Sequence, residues 1–225
     1  MASLYIVGTP IGNLEDITLR ALRVLRETDI ILCEDTRVTK RLLEKYKISG
    51  KQLLAYNEQK SGASAERVIE LLQDGRNIAL VTDAGTPGIS DPGSMLVQKV
   101  REVLLDVKIE SIPGPSALTA ALSVAGVSAD SFLFLGFLPH KKGRETLFKE
   151  IAEEKRVVVS YESPHRIMKA LESLQKYAPE KQITICRELT KIHEEVVRGS
   201  ASEVLEYFRN NSEKVRGEFV VVVSI

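Results

Sequence analysis

Four loops that contain glycine and proline, acidic side chains, or both each follow a short apolar run that is typical of a β-strand. They are VGTPIGNLEDIT (7–18), CEDTR (33–37), TDAGTPGISDPG (82–93) and IPGPSA (112–117). Glycine lets a ligand approach the backbone closely and proline fixes the chain path, while Asp83 and Asp91 add acceptors suited to ribose hydroxyls or an amino group. Because ligands of open α/β sheets bind beyond the carboxyl ends of the strands, these loops predict a ligand-binding edge.

The first loop does not fit a phosphate cradle. It lacks the GK[ST] ending of a P-loop, and Gly8 and Gly12 do not form a GxGxxG pattern. Pro10 also removes an amide donor that a phosphate would use. The loop is interpreted as a rigid turn that carries a different ligand. Without metal-like spacing of His, Cys and Asp, no metal site is predicted.

The elements that position these loops alternate between strand and helix. Strands are predicted at LYIV, IILC, LLAY, NIALV, VKIESI, FLFLGFLP, RVVVSYE, KQITICRE and GEFVVVVSI. Helices are predicted at ITLRALRVLRET, TRVTKRLLEKY, SAERVIELLQDG, SMLVQKVREVLL, HRIMKALESLQKY and SASEVLEYFRN. Asp16 is the expected N-cap of the first helix, and Gly75 the expected C-cap of the third. Near-continuous apolar strands favour a largely parallel sheet covered on both faces.

The alternation pauses after PSALTAALSVAGVSAD and resumes at FLFLGFLP. This pause indicates two α/β domains, residues 1–128 and 129–225, rather than one long sheet. The sequence shows no internal repeat or low-complexity tract.

The amino-acid composition is that of an ordinary globular protein and excludes few functions. Lys plus Arg and Asp plus Glu each number 31 in 225 residues, which argues against a protein coated in RNA but leaves room for a local basic patch. Cys33 and Cys186 are expected to be small buried hydrophobes in a reducing compartment. The sequence shows neither a basic leader nor an apolar stretch of membrane-spanning length, so a soluble, cytoplasmic protein is expected.

Seven segments resemble, in order, the ribosomal RNA small subunit methyltransferase I family of the tetrapyrrole methylase superfamily. They are GTPIGNLEDIT, CEDTR, TDAGTPGISDPG, PGPSA, FLGFLP, YESPHR and CRELTKIHEE followed by RG, and they span residue 8 to about residue 218. PGPSA is shared widely within the superfamily, whereas the first two segments together with YESPHR are much more specific. Members of the family often continue past the last strand, whereas this sequence ends at VVVSI, so RNA contacts of such a segment are not predicted here.

The resemblance implies two α/β domains with S-adenosylmethionine bound in the cleft between them, and a homodimer. It implies 2'-O-methylation of a cytidine in the decoding region of small-subunit ribosomal RNA. It also implies a set of residues at the methyl donor: Pro10, Asp83, Ala84, Gly85, Ile89, Ser116, Ala117 and Leu135.

Transfer to a ribose hydroxyl depends on proximity and alignment, and this poor nucleophile is helped by a general base or a cation. Two clusters that follow predicted strands supply such groups and are the candidate catalytic residues: Glu34, Asp35 and Arg37, and Glu162, His165 and Arg166. Each has a structural alternative. Asp35 is also a plausible cap of the helix from Thr36, His165 a plausible exposed residue at a helix start, and both arginines plausible partners of nearby carboxylates.

Basic residues near the expected cleft are candidate contacts for RNA phosphates: Lys141, Lys142 and Arg144 in HKKGR, extended by Lys40 and Arg41. Two other functions remain open. One is a methylase acting on a corrin precursor or a translation-factor side chain, for which a cationic rim has less use. The other is a module that binds S-adenosylmethionine without catalysis.

Overall fold

The computed structural model describes residues 2–56 and 62–225, except for the side chains of 62–64, and it divides into two compact units, Met1–Ser116 and Ala117–Ile225. The sequence places the boundary at 128/129, beyond the helix Ala117–Val124. The structure groups this helix with the second unit because it packs on that unit's sheet, where the Cys186 thiol lies 3.9 Å from the carbonyl oxygen of Ala121.

The first unit is a doubly wound α/β sheet. Its elements are β1 (Ser3–Val7), α1 (Leu19–Glu27), β2 (Ile30–Cys33), α2 (Thr36–Lys45), β3 (Gln52–Ala55), α3 (Gly62–Gln73), β4 (Ile78–Leu80), α4 (Ser94–Val103) and β5 (Lys108–Ile112). The strands lie in the order β3-β2-β4-β1-β5, and every neighbouring pair is parallel. Helices α1 and α2 cover one face and α3 and α4 the other, which explains the continuous apolar strands.

Helix ends in the first unit follow local capping chemistry. The predicted cap Asp16 is wrong, because it ends a short 3-10 turn and the Thr18 hydroxyl accepts from the Ala21 amide instead, at 3.1 Å. Asp35 caps α2. Gly75 is confirmed in the left-handed region, with φ +81°, and its amide donates to the Leu72 carbonyl at 3.1 Å.

The second unit combines one mixed sheet with four helices. Its elements are α5 (Ala117–Val124), β6 (Phe132–Phe137), α6 (Arg144–Glu153), β7 (Val157–Glu162), α7 (Ile167–Tyr177), β8 (Gln182–Arg187), β9 (Glu195–Ser200), α8 (Ala201–Asn210) and β10 (Phe219–Ser224). The order is β6-β7-β10-β8-β9. Here β6 and β7 are parallel, and the other neighbouring pairs are antiparallel.

The expectation of a largely parallel sheet is therefore wrong for the second unit. Strand β10 is buried along its whole length because it lies at the centre of the sheet, and an apolar run of this kind does not reveal strand direction. The sequence does not predict strand β9, because β9 is a half-exposed edge strand with the charged sequence EVVRGS. It does not predict helix α6 either, because α6 follows directly on the basic segment HKKGR.

Helices α6, α7 and α8 pack on one face of this sheet and form a single apolar core with its strands. Both cysteines are buried as predicted, and burial raises the pKa of the Cys186 thiol to about 11. Within residues 2–56 and 62–225, no helix is both long and apolar enough to span a bilayer.

Candidate functional site

The loops after β1, β4 and β5 are joined by backbone hydrogen bonds at the carboxyl end of the first sheet. The Thr9 amide donates to the Gly85 carbonyl at 2.8 Å, and the Gly85 amide donates back to the Thr9 carbonyl at 3.1 Å. The Gly8 amide donates to Ile112 at 3.0 Å, and the Thr9 hydroxyl donates to the Thr82 carbonyl at 3.0 Å. We call this surface, formed by residues 8–11, 33–35, 82–93 and 113–116, the first edge.

Glycine is required at the first edge where two loops touch. A Cβ on Gly8 would lie 2.9 Å from the Cα of Gly114, and a Cβ on Gly114 would lie 2.8 Å from the Gly8 carbonyl oxygen. Both obstacles are backbone, so neither can move aside as a flexible side chain would. This contact brings the loops after β1 and β5 closer together than any side chain would allow.

Acidic side chains give the first edge a negative potential. Partial burial, together with the charges of Glu34 and Asp83, raises the pKa of Asp91 to about 6. Burial and the nearby Asp83 also raise the pKa of Glu34. The sequence alone indicates Asp91 only as a ligand acceptor, because its proximity to the other carboxylates depends on the fold.

Asp35 and Arg37 form an exposed pair at the start of α2. The Asp35 carboxylate accepts from the Arg37 amide at 2.8 Å and from its guanidinium at 2.6 Å, and the Asp35 amide donates to Asp83 at 3.0 Å. The hydrogen bonds from Arg37 lower the pKa of Asp35 to about 2. The capping alternative for Asp35 and the pairing alternative for Arg37 are therefore both observed.

The second unit carries a buried charge cluster at the carboxyl ends of β6 and β7. The Glu162 side chain is fully buried, and its Oε1 lies 2.8 Å from Nη2 of Arg166. Nη1 of Arg144 lies 3.7 Å from the other carboxylate oxygen, Oε2. We call residues 138–144 and 162–166 the second edge. The pairing alternative for Arg166 is thus observed as well.

The guanidinium groups of this cluster also hold the backbone of the loop after β6. Arg166 donates from Nη1 to the Leu138 carbonyl at 2.8 Å and from Nε to the Ser163 hydroxyl at 3.2 Å. Arg144 donates from Nη1 to the Pro139 carbonyl at 3.0 Å. Its guanidinium carbon also lies 5.1 Å from the centre of the Phe148 ring.

The remaining predicted residues are displayed rather than buried. His165 is exposed, as are Lys141 and Lys142 in the second edge and Lys40 and Arg41 on α2. Arg144 differs from its neighbours in HKKGR, because its side chain is 15% exposed and turned towards Glu162.

The residues predicted at the methyl donor fall into both units. Those on the first edge are Pro10, Asp83, Ala84, Gly85, Ile89 and Ser116, and those in the second unit are Ala117 at the start of α5 and Leu135 in β6. Ile89 is 46% exposed, so the first edge also displays an apolar side chain.

Comparison with known proteins matches residues 3–205 to the family model described as Tetrapyrrole (Corrin/Porphyrin) Methylases. A protein of Thermotoga maritima named Ribosomal RNA small subunit methyltransferase I is 47% identical over 225 residues, covering 100% of this chain and 99% of its own length. A protein of the same name from Synechocystis is 43% identical, with coverage of 100% and 79%. Relatives of this name thus differ in length.

Among solved structures, uroporphyrin-III C-methyl transferase from Thermus thermophilus, complexed with S-adenyl homocysteine, has a TM-score of 0.68 and 16% identity, covering 99% of this chain and 97% of its own. The chain has the fold of the tetrapyrrole methylases, and it belongs to the ribosomal RNA small subunit methyltransferase I family. The predicted α/β fold and the predicted cofactor, S-adenosylmethionine, are confirmed.

The first edge fits this cofactor. Glycines at the contact between Gly8 and Gly114 remove side chains from the loops, and Ile89 offers an apolar surface for a base. The carboxylates of Glu34, Asp83 and Asp91 suit a ligand that carries a sulfonium and an ammonium group. In the part of the chain that the structure describes, no group of three His, Cys, Asp or Glu side chains is placed to hold a metal ion.

Proposed function

We propose that this chain transfers the methyl group of S-adenosylmethionine to the ribose 2'-hydroxyl of a cytidine in the decoding region of small-subunit ribosomal RNA. The observation that carries this proposal is the 47% identity, over the full length of both chains, to a protein named for methylating that RNA. The motifs GTPIGNLEDIT, CEDTR and YESPHR favour the cytidine 2'-hydroxyl as the acceptor, because they resemble the family that methylates it.

In this proposal the first edge holds the cofactor, which supplies an electrophilic methyl group on a sulfonium. The backbone around Gly85 and the small Ala84 leave room for the methyl group, while Asp83 attracts the positive charge. Pro10, Ile89, Ser116, Ala117 and Leu135 complete the proposed binding set. Because the loops are already ordered, the cofactor is aligned when it binds, and the chemical step does not carry the entropy cost of that alignment.

Deprotonation of the 2'-hydroxyl requires a group with a pKa nearer neutrality. Glu34 suits this role better than Asp35, because the pKa of Glu34 is raised whereas that of Asp35 is held at about 2 by Arg37. The Arg37 side chain is 85% exposed, so its guanidinium, while paired with Asp35, is also open to a phosphate beside the target nucleotide. His165, exposed at the second edge, is the corresponding candidate of the second unit.

Exposed basic side chains supply the proposed contacts to the RNA backbone. Lys141 and Lys142 project from the second edge, and Lys40 and Arg41 project from α2. Contacts of this kind attract any RNA and fix its register without selecting a base. The homodimer and the cytoplasmic location are further parts of this proposal.

The test is methyl transfer to small ribosomal subunits from a strain that lacks the modification. The purified chain is incubated with these subunits and labelled S-adenosylmethionine, and the RNA is digested to nucleosides. The expected product is labelled 2'-O-methylcytidine. Matched reactions with already methylated subunits should remain unlabelled.

Two results would contradict the proposal. Label in a macrocycle or a translation factor, with none in the RNA, would favour the other methylases of this fold. Binding of S-adenosylmethionine without transfer to any acceptor, unchanged by Glu34→Gln, would favour a non-catalytic module.

A further inference from the structure

Three groups at the second edge form one connected cluster that the proposed chemistry does not use. Glu162 is fully buried and cannot touch a substrate, yet it faces two guanidinium groups. Taking a carboxylate out of water is unfavourable unless the carboxylate is paired and hydrogen-bonded.

The cluster holds the loop of residues 139–143, which we call the basic loop. Arg166 bridges Glu162 and the Leu138 carbonyl, so that it ties the end of β7 to the chain just before this loop. Arg144 bridges Glu162 and the Pro139 carbonyl, which ties the far end of the loop back to its start. The basic loop is therefore clamped at both ends, while His140, Lys141 and Lys142 between them are exposed.

We propose that Glu162, Arg144 and Arg166 are positioning residues that brace the basic loop as a preformed surface for the phosphates of the RNA acceptor. This inference rests on the proposed function for the identity of the acceptor. It assigns Glu162 and Arg166 to the binding of the acceptor rather than to the chemical step. A loop that is already ordered binds phosphates without a further loss of conformational entropy.

The two arms of the brace differ in strength. Arg166 uses all three guanidinium nitrogens, on Glu162, Leu138 and Ser163. Among the described residues, Nη2 of Arg144 and Oε2 of Glu162 are buried without a hydrogen-bond partner. Since Lys cannot reproduce the fork of Arg, Arg166→Lys should loosen the loop more than Arg144→Lys does.

The first measurement is amide hydrogen exchange at Arg144 and Leu147, whose amides donate to Lys141 at 3.3 Å and to Gly143 at 3.0 Å. In Glu162→Gln and in Arg166→Lys we expect exchange at these sites to be about 10-fold faster than in the wild type. The matched control is Glu154→Gln, which removes a carboxylate paired with Arg156 at 2.7 Å between α6 and β7. The control should change exchange by less than about 2-fold.

The second measurement separates positioning from chemistry. For Glu162→Gln and Arg166→Lys, KM for small subunits should rise about 10-fold, while kcat and the Kd of S-adenosylmethionine stay within about 2-fold. Unchanged exchange with a fall in kcat would overturn the inference and place these residues in the chemical step. If Glu162→Gln does not fold, Arg166→Lys, which keeps the buried positive charge, decides the matter.

Failure of the proposed function gives a different result. The wild type would then transfer no label to small subunits, whereas faster exchange in the two variants would still show that the brace orders the loop. Wild-type transfer with exchange that the variants leave unchanged would reject the brace alone.

Discussion

The two edges occupy equivalent positions, each at the carboxyl ends of parallel strands, but they are made rigid in opposite ways. The first edge is held by backbone hydrogen bonds between Thr9 and Gly85 and by the contact of two glycines. The second edge is held by side chains that converge on one buried carboxylate, Glu162. The same strand-to-loop geometry is therefore compatible with two unrelated means of ordering a loop.

The first edge and the second edge also differ in the charge that they display. The first edge collects carboxylates, whose mutual repulsion contributes to the raised pKa of Asp91. The second edge neutralises its carboxylate internally and displays Lys141 and Lys142 outward. Under the proposed function this difference matches the two substrates, since the methyl donor is a cation at its sulfonium and the RNA backbone is a polyanion.

The largest effect on stability is expected from Glu162→Ala, because it leaves two guanidinium groups buried without their counter-charge. Breaking a buried ion pair of this kind lowers the free energy of unfolding by about 3–5 kcal/mol. Urea unfolding followed by circular dichroism measures the change. Glu154→Ala is the matched control and should alter stability little, because its partner Arg156 is exposed. Equal losses in the two variants would remove the distinction between a buried brace and a surface pair.

Gly8→Ala tests the first edge in the same way. The new Cβ would meet the backbone of Gly114 at 2.9 Å, so the loops after β1 and β5 must separate, at a cost of about 3 kcal/mol. Binding of S-adenosylmethionine, measured by calorimetry, should weaken by more than about 10-fold as the edge opens. Gly50→Ala has open space around the Cβ but a φ of +71°, so it should lower stability through backbone strain and leave cofactor affinity unchanged. Unchanged binding in Gly8→Ala would show that this close approach does not shape the cofactor site.

Asp91→Asn tests the electrostatics of the first edge. The pKa of Asp91 in the folded chain, about 6, lies above its ordinary value of 3.8, so the folded state prefers the protonated group. Its contribution to stability is therefore full below pH 3.8 and is lost as the pH rises through 6. Asparagine should remove this loss and stabilise the chain at pH 7 by about 1 kcal/mol, after allowance for the screening of a half-buried group. Urea titrations of both proteins between pH 4 and pH 7 should converge at the acid end, and parallel curves would contradict the assignment.

Arg37→Ala gives the smallest expected effect and concerns only the start of α2. Hydrogen bonds from Arg37 lower the pKa of Asp35 from 3.8 to about 2, so the contribution of this carboxylate to stability is present above 3.8 and lost as the pH falls through 2. Without the guanidinium the pKa of Asp35 should move back towards 3.8, as measured by NMR titration. Lys40→Ala, on the next turn of α2, is the control that should leave it in place. A pKa that stays near 2 in Arg37→Ala would assign the shift to the helix terminus instead.

The features of the fold that the sequence predicts best are those with a local signal. The alternation of apolar strands with helical patterns predicts the elements of the first unit. The glycine after α3 predicts the C-cap of that helix, because the position is left-handed and glycine adopts this conformation readily. The cap of α1 was misplaced because Asp16 and Thr18 are both good caps, and only the fold shows which hydrogen bond forms. Strand direction in the second unit could not be deduced, since a central strand is apolar in either direction.

The sequence predicts many residues of the candidate site, but it does not predict which of them contact one another. The motifs CEDTR and YESPHR identified two charged clusters, yet they do not reveal that Arg144 joins the second one across the basic loop. Nor do they reveal that Gly8 and Gly114, which are 106 positions apart along the chain, are in such close contact that neither position has room for a side chain. Both are contacts between residues that are distant in sequence, and contacts of this kind leave no periodic pattern in the sequence.

Under the proposed function, the first edge binds the methyl donor and the basic loop binds the RNA acceptor. The most direct test measures the Kd of S-adenosylmethionine and the KM for small subunits in Asp83→Ala and in the double variant Lys141→Ala, Lys142→Ala. We expect Asp83→Ala to weaken cofactor binding by about 10-fold or more. The lysine double variant should leave that Kd unchanged, raise KM and reduce its dependence on salt. Weakened cofactor binding in the lysine variant, with KM unaltered, would contradict the division of labour between the two edges.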